Sequence, residues 1–343
     1  MPKNEVKNRV IVETPEGDRA FLLLEGDIFQ ERADVYVFNS YSGDSGMLMD
    51  KLKEQYRQEK IPEMPFYFSK DGTKVGKITL EDGRIILMLH SNLMEHEAIS
   101  SAQYNSFIEN VYTSLTALET IGKRFETVAF PILLRNGISA IYPEAIKILV
   151  EKSTRWLKSS ENTKAVKYVL YESGDAKLWN ENLNAVLGRR AVNIDQSPEL
   201  YQYKNKVLSI LQLLDKKLPY WEDTLLPIRN ALQQKEFRPE VVAAFSRKLL
   251  EVYCSDLSGA TNHFQRLDDY LQYLQKNKLL NIWDVQTLYQ IRSFGNPSIH
   301  RPTTIIGPQS MDEKDTAILL ICLYRLLEMI YESQNRKYPF KLR

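Results

Sequence analysis

The chain has 343 residues, 43% of them hydrophobic and 26% charged, with a formal net charge of +1. That length suits two domains, the composition excludes disorder, and the near-zero charge excludes a general attraction to nucleic acid or membrane surfaces. The two cysteines, Cys254 and Cys322, exclude a disulfide framework and a cysteine-based zinc site, and fit a reducing cytosol.

The opening MPKNEVKNRV has no signal-peptide core, and the longest apolar run, AILLICLY at 317–324, is too short to span a bilayer and reads as a buried helix segment. A cytoplasmic protein with no membrane partner is the expectation. In chain order, RVIVET, AFLLLEG, DVYVFN, KVGKITL, RIILMLH, TVAFPILL and AVKYVLYES read as strands, being short, apolar and rich in β-branched and aromatic residues. Helical spacing is predicted between them over 46–58, 98–123, 142–159 and 176–188. Strands separated by helices predict a mixed, mostly parallel sheet with flanking helices over residues 9–187. The stretch GRRAVNIDQSP at 188–198 has no periodicity and reads as a linker. From there to residue 335 strand signals vanish. Helical patterns over 199–217, 221–233, 239–254, 261–276, 283–293 and 312–334 predict an all-α bundle.

Within the first half, DVYVFNSYSGDSG at 34–46 is a strand that falls into a small polar loop before helical spacing resumes. Strand, glycine-containing loop and helix can aim backbone N–H groups at an anion, although many such turns bind nothing. Gly43 and Gly46, with Ser42 and Ser45, allow close approach of a pyrophosphate because glycine lacks a Cβ. A second loop, Arg135-Asn136-Gly137-Ile138-Ser139, could close over the other side of the same phosphates. Arg135 there either adds a charge-assisted contact or stays solvated. Asp27, at a strand end, either accepts a hydrogen bond from an exocyclic amine or N-caps the following turn. Pro143 suits the first position of a helix. His90, in an apolar strand, reads as a satisfied core histidine, and neither His90 nor His96 gathers a ligand set, so no metal and no cofactor are assigned.

Several of these segments together resemble the macro domain, the ADP-ribose-binding fold. LLEGDIF at 23–29 and ADVYVF at 33–38 resemble its opening. GKITL at 76–80 with RIILMLHSN at 84–92 resembles its middle hairpin. TVAFPILLRNGISAIYPEAIKILVEKS at 127–153 resembles its Phe-Pro strand, phosphate loop and Tyr-Pro helix, and AVKYVLYES at 165–173 its last strand. The resemblance implies an ADP-ribose-like or cyclic-nucleotide ligand, with Asp27 on the adenine amine and Ile28 beside it. The family's Asn-Ala-Ala-Asn is not intact. Without gaps Phe38 and Tyr41 take the asparagine places, and a one-residue shift puts Asn39 and Ser42 there. In either alignment the second asparagine is absent, which implies binding or sensing rather than hydrolysis of ADP-ribose.

In the second half, IRSFGNPSIHR at 291–301 interrupts a helix, with Gly295 suited to a helix-ending C′ position and Asn296-Pro297 to a new N-terminus. Arg292, Asn296 and His300 then form a candidate catalytic set. Imidazole can take a proton from a ribose 2′-hydroxyl, guanidinium can stabilise a pentavalent phosphate, and the amide can orient either. The alternative is that Asn296 and His300 bond backbone at the kink. With AFSRKLLEVYC at 244–254, this stretch resembles a HEPN-like bacterial helical domain of uncharacterised function. Seven residues separate Arg292 from His300, more than the HEPN ribonuclease spacing of four to six. The resemblance implies RNA as a second partner, a homodimer through the carboxy-terminal helices, and a sensor–effector pairing of the kind found in prokaryotic antiviral defence. Arg247 and Glu251, one helical turn apart, read as an intrahelical pair.

Overall fold

The computed structural model describes residues 4–40, 66–70, 73–92, 97–189, 191–218, 221–259, 264, 266–295 and 311–337. The chain divides into two compact units: Met1–Asn8 with Arg19–Val186, and Arg9–Asp18 with Leu187–Arg343.

Among the described residues, eight strands form one sheet in the order β1-β2-β8-β7-β3-β6-β5-β4. They are β1 (Glu5–Thr14), β2 (Gly17–Glu25), β3 (Val35–Ser40), β4 (Phe66–Lys70), β5 (Thr73–Thr79), β6 (Ile85–His90), β7 (Thr127–Phe130) and β8 (Ala165–Leu170). The run β2, β8, β7, β3, β6 is parallel, and β5 and β4 continue it antiparallel. This is the mixed, mostly parallel sheet expected from the sequence. Val35, Tyr36, Val37 and Phe38 of β3 are all buried, so both faces of the sheet are covered at its centre. Tyr36 and Phe38 join Leu24, Ile86, Met88, Ala129 and Val169 in one core, and by strand alternation Val35 and Val37 face the other way. β4 has no counterpart among the strands read from the sequence: its five residues follow Pro65 and are too few to give a clear pattern.

The described helices of this unit are α1 (Ser101–Thr120), α2 (Tyr142–Ser159) and α3 (Ser173–Val186). A capping box between Ser100 and Gln103 starts α1. Pro143 sits in the first turn of α2, where its missing N–H costs nothing. The helix expected over 46–58 lies outside the described residues.

The second unit is helical: α4 (Pro198–Lys217), α5 (Glu222–Gln233), α6 (Pro239–Ser258), α7 (Leu267–Lys276), α8 (Ile282–Phe294) and α9 (Glu313–Lys337). α6 is its centre, buried continuously from Pro239 to Arg247 and again at Leu249, Leu250, Tyr253 and Cys254. The stretch 188–198 carries a β-bridge between Val192 and Phe237 and a short 3-10 turn over Ile194–Gln196. Among the described residues no helix is long and apolar enough to cross a membrane.

Gly295 follows α8 with φ −70°, not the left-handed conformation of a C′ glycine. Its lack of a side chain has a packing cause instead. A Cβ there would lie 2.7 Å from Arg247 Cβ and 3.1 Å from the Ala243 carbonyl. The glycine lets α8 end directly against α6.

Candidate functional site

In open parallel sheets ligands sit beyond the carboxyl ends of the strands. A cleft of about 570 Å³ opens there in the first unit, at the ends of β2, β8 and β7. Gly26, Asp27, Ile28 and Phe29 line it after β2, Pro131, Ile132 and Arg135 after β7, and Val169, Tyr171, Glu172 and Asp175 from the end of β8 into α3.

The β2 side is held by a backbone clip. Gly26 has φ +149° and donates its N–H to the Leu170 carbonyl of the neighbouring parallel strand, 2.8 Å away. Asn4 reaches over it: Asn4 Oδ1 accepts from Asp27 N–H at 2.8 Å, and Asn4 Nδ2 donates to the Asp27 carbonyl at 3.0 Å and to Glu31 at 2.9 Å. Asp27 N-caps the 3-10 turn Ile28–Gln30, its Oδ1 accepting from Phe29 N–H at 2.9 Å. Its Oδ2 meets only a long 3.5 Å contact from Gln30, which leaves acceptor capacity toward the cleft. Capping and ligand recognition, alternatives in the sequence, are compatible in the fold. Phe29 stacks on Phe38 at 5.9 Å and forms an apolar floor, and Tyr171, 79% exposed, stands at the rim, where a ring can stack on a base.

Arg135 is the cleft's one cation among its described lining residues. Its fork meets the Glu172 carboxylate through two bonds of 3.0 and 2.7 Å, and Nη2 also lies 2.8 Å from Asp175. The hydrogen bond from Arg135 holds the Glu172 carboxyl below its ordinary value. Burial raises Asp175, and the adjacent guanidinium only partly opposes that. Against Arg135 stand three carboxylates, so the cleft is acidic overall.

The remaining residues of the second loop do not line the cleft. Gly137 and Ile138 are buried, and a Cβ on Gly137 would lie 2.9 Å from the Glu97 carbonyl, so close packing is the reason for that glycine. Asn136 and Ser139 are exposed. Asn39 instead fixes the loop, its Oδ1 accepting from Leu134 N–H at 3.1 Å, where Leu134 has φ +55°. His90 is hydrogen-bonded through Nδ1 to Ser40 Oγ at 2.6 Å, as the β3–β6 register dictates. Ser42, Gly43, Ser45 and Gly46 lie outside the described residues. The structure thus gathers Asp27, Ile28 and Arg135 of the expected set, and adds Phe29, Tyr171, Glu172 and Asp175. The signal for the last two was the acidic Glu-Ser-Gly-Asp at the end of the final parallel strand.

In the helical unit, Arg292 pairs with Asp268 at 3.0 Å and with Glu13 at 3.7 Å, and its carbonyl accepts from Arg247 at 3.4 Å. Asn296 and His300 lie outside the described residues. Arg247, 1% exposed, does meet Glu251, but only at 3.9 Å; its main partners are Asp18, bound by Nε at 3.1 Å and by Nη2, and Glu13 at 2.8 Å. A larger groove of about 820 Å³ runs between α4 and α9, but none of its polar lining side chains is buried, so nothing there is pre-positioned for a ligand. Among the described residues no group of three or more His, Cys, Asp or Glu is placed to hold a metal ion.

No family model matches the chain, and no curated protein matches it. The solved structures it resembles are macrodomains, and the likeness covers its amino-terminal half. The Oceanobacillus iheyensis macrodomain with ADP is 16% identical, covering 55% of this chain and 99% of that one, with a TM-score of 0.35. The same macrodomain with MES bound is 17% identical over 52% of this chain and 97% of that one, with a TM-score of 0.36. The Trypanosoma brucei macrodomain in complex with ADP-ribose is 10% identical, covering 47% of this chain and 68% of that one, with a TM-score of 0.34.

Proposed function

We propose that the amino-terminal unit binds an adenine-nucleotide-derived ligand of the ADP-ribose type in the cleft beyond β2, β8 and β7. The observation that carries the reading is the placement of Asp27, with spare acceptor capacity, beside an apolar floor and an exposed tyrosine at the ends of three adjacent parallel strands. A carboxylate accepts from an exocyclic amine, Tyr171 and Phe29 offer ring faces to the base, and Arg135, the one cation of the described lining, offers a partner to a phosphate. The reading is a receptor: of the cleft's three carboxylates, Glu172 and Asp175 are engaged by Arg135, and Asp27 caps its own turn.

The helical unit is then the responding half of a sensor–effector pair in antiviral defence, acting on RNA through Arg292, Asn296 and His300 and pairing with a second copy through its outer helices. The sequence resemblance supports this part, together with the exposed apolar Leu213, Ile318 and Ile321 on α4 and α9.

Thermal denaturation of the full chain tests the ligand. A ligand at about 100 times its Kd stabilises by about 2.7 kcal/mol, which for a unit of this size is a rise of roughly 5–10 °C. ADP-ribose, ADP and cyclic AMP are expected to give such shifts and their guanine counterparts smaller ones. No shift with any nucleotide would reject the reading.

A further inference from the structure

We propose that Glu172 and Asp175 form a charge clasp on Arg135, so that an anionic ligand enters the cleft by exchange, its phosphate taking the guanidinium from Glu172. This inference rests on the ligand reading above. In the structure both Nη atoms of Arg135 are turned onto Glu172 in the paired geometry that carboxylates and phosphates share, and Nη2 adds Asp175. An incoming phosphate would therefore meet two carboxylates around one guanidinium, and that guanidinium is the only lining cation among the described residues.

The two arms of the clasp differ. The side chain of Glu172 is 56% exposed and that of Asp175 16%. Glu172 can swing into water at little cost, because the released carboxylate is rehydrated at once. Asp175 cannot, and it keeps Arg135 at the cleft while the exchange occurs. Glu172 is the arm that yields, and Asp175 the arm that positions. Discrimination follows from the same geometry: a ligand without phosphate has no means of opening the clasp and gains nothing from Arg135, whereas a diphosphate replaces one planar anionic partner with another. Glu172 therefore sets how strongly the cleft distinguishes phosphorylated from unphosphorylated adenosine compounds.

Calorimetric titration of the full chain and of Glu172→Gln with two probes, ADP-ribose and adenosine, tests this. The glutamine removes the competing charge at an exposed position while keeping the side chain's size. The ratio of ADP-ribose affinity to adenosine affinity is expected to rise about threefold or more in the variant, the scale of an exposed ion pair. Binding of ADP-ribose by the variant alone would be the same effect in its strongest form and would support the clasp. A ratio that stays the same or falls, with ADP-ribose still bound, would overturn the clasp and leave the ligand reading standing. Failure of both probes on both proteins would overturn the ligand reading, and the clasp with it.

Discussion

Replacing Arg247 with alanine is expected to cost the helical unit about 3–5 kcal/mol, the range for removing one partner of a buried ionic cluster. Arg247 is the most completely buried charge described in the chain, 1% exposed on the central helix α6. Its guanidinium gathers Asp18, Glu13 and, at longer range, Glu251. Burial pulls its pKa down, and the carboxylates of Asp18 and Glu13 more than offset this, so it stays charged. Asp18 bears the cost of losing it. Burial already raises that carboxyl, and Arg247 is the main force opposing the rise, while Glu251 and Glu13 add to it. Without the guanidinium, three carboxylates share a site with little water. A triple change, Arg247→Met with Glu13→Gln and Asp18→Asn, should recover most of the loss, because it removes the cluster instead of breaking it. Urea denaturation followed by tryptophan fluorescence reads both variants, and buried Trp221 reports on the helical unit. A cost below about 1 kcal/mol for Arg247→Ala would show that water replaces the guanidinium, contrary to this account.

Gly26→Ala is the second large effect, an expected loss of about 2–4 kcal/mol together with loss of ligand binding. At φ +149° a side chain is strained whatever space it has, and here it has none: the new Cβ would lie 1.9 Å from Asn4 Oδ1 and 2.6 Å from Asn4 Cγ. Asn4 must leave, and with it go the bonds to both backbone groups of Asp27 and to Glu31. The turn that presents Asp27 to the cleft then keeps its own cap and the Gly26 N–H bond to Leu170 but loses its side-chain clip. Asn4→Ala removes the clip without backbone strain and should cost less, about 1–2 kcal/mol. If the two variants are equally stable in denaturant titrations, strain at Gly26 contributes nothing and the clip alone explains the turn.

The parallel sheet could be read from the chain because its strands are short apolar runs, and because two of the helices between them carry start signals, the Ser100 capping box and Pro143 in a first turn. β3 is buried on all four of its first residues, and α2 begins at Tyr142-Pro143 as the spacing predicts. β4 was not legible: five residues after a proline give too short a pattern. The cleft was half legible. Asp27 and Arg135 stand out as charges at strand ends and in a loop after a strand, but the partner of Arg135 lies 37 residues further on, and nothing local joins the two. Distance in sequence hides the Arg247 cluster more completely. Glu251, four residues away, was visible, whereas Asp18, the partner with the closer geometry, lies 229 residues away. The glycines were misleading for a similar reason. Gly137 and Gly295 look like a phosphate loop and a helix stop, yet each is small because another backbone or side chain passes close by.

The measurement that bears most directly on the central claim is photo-crosslinking of the full chain with 8-azido-ADP-ribose, followed by tryptic mapping. The azide sits on the base, so label is expected on peptide 20–32, which carries Ile28 and Phe29, and on peptide 168–177, which carries Tyr171. Unlabelled ADP-ribose should compete it away. Competed label that maps to the helices beyond residue 198, with neither of those peptides modified, would contradict a nucleotide site beyond β2, β8 and β7.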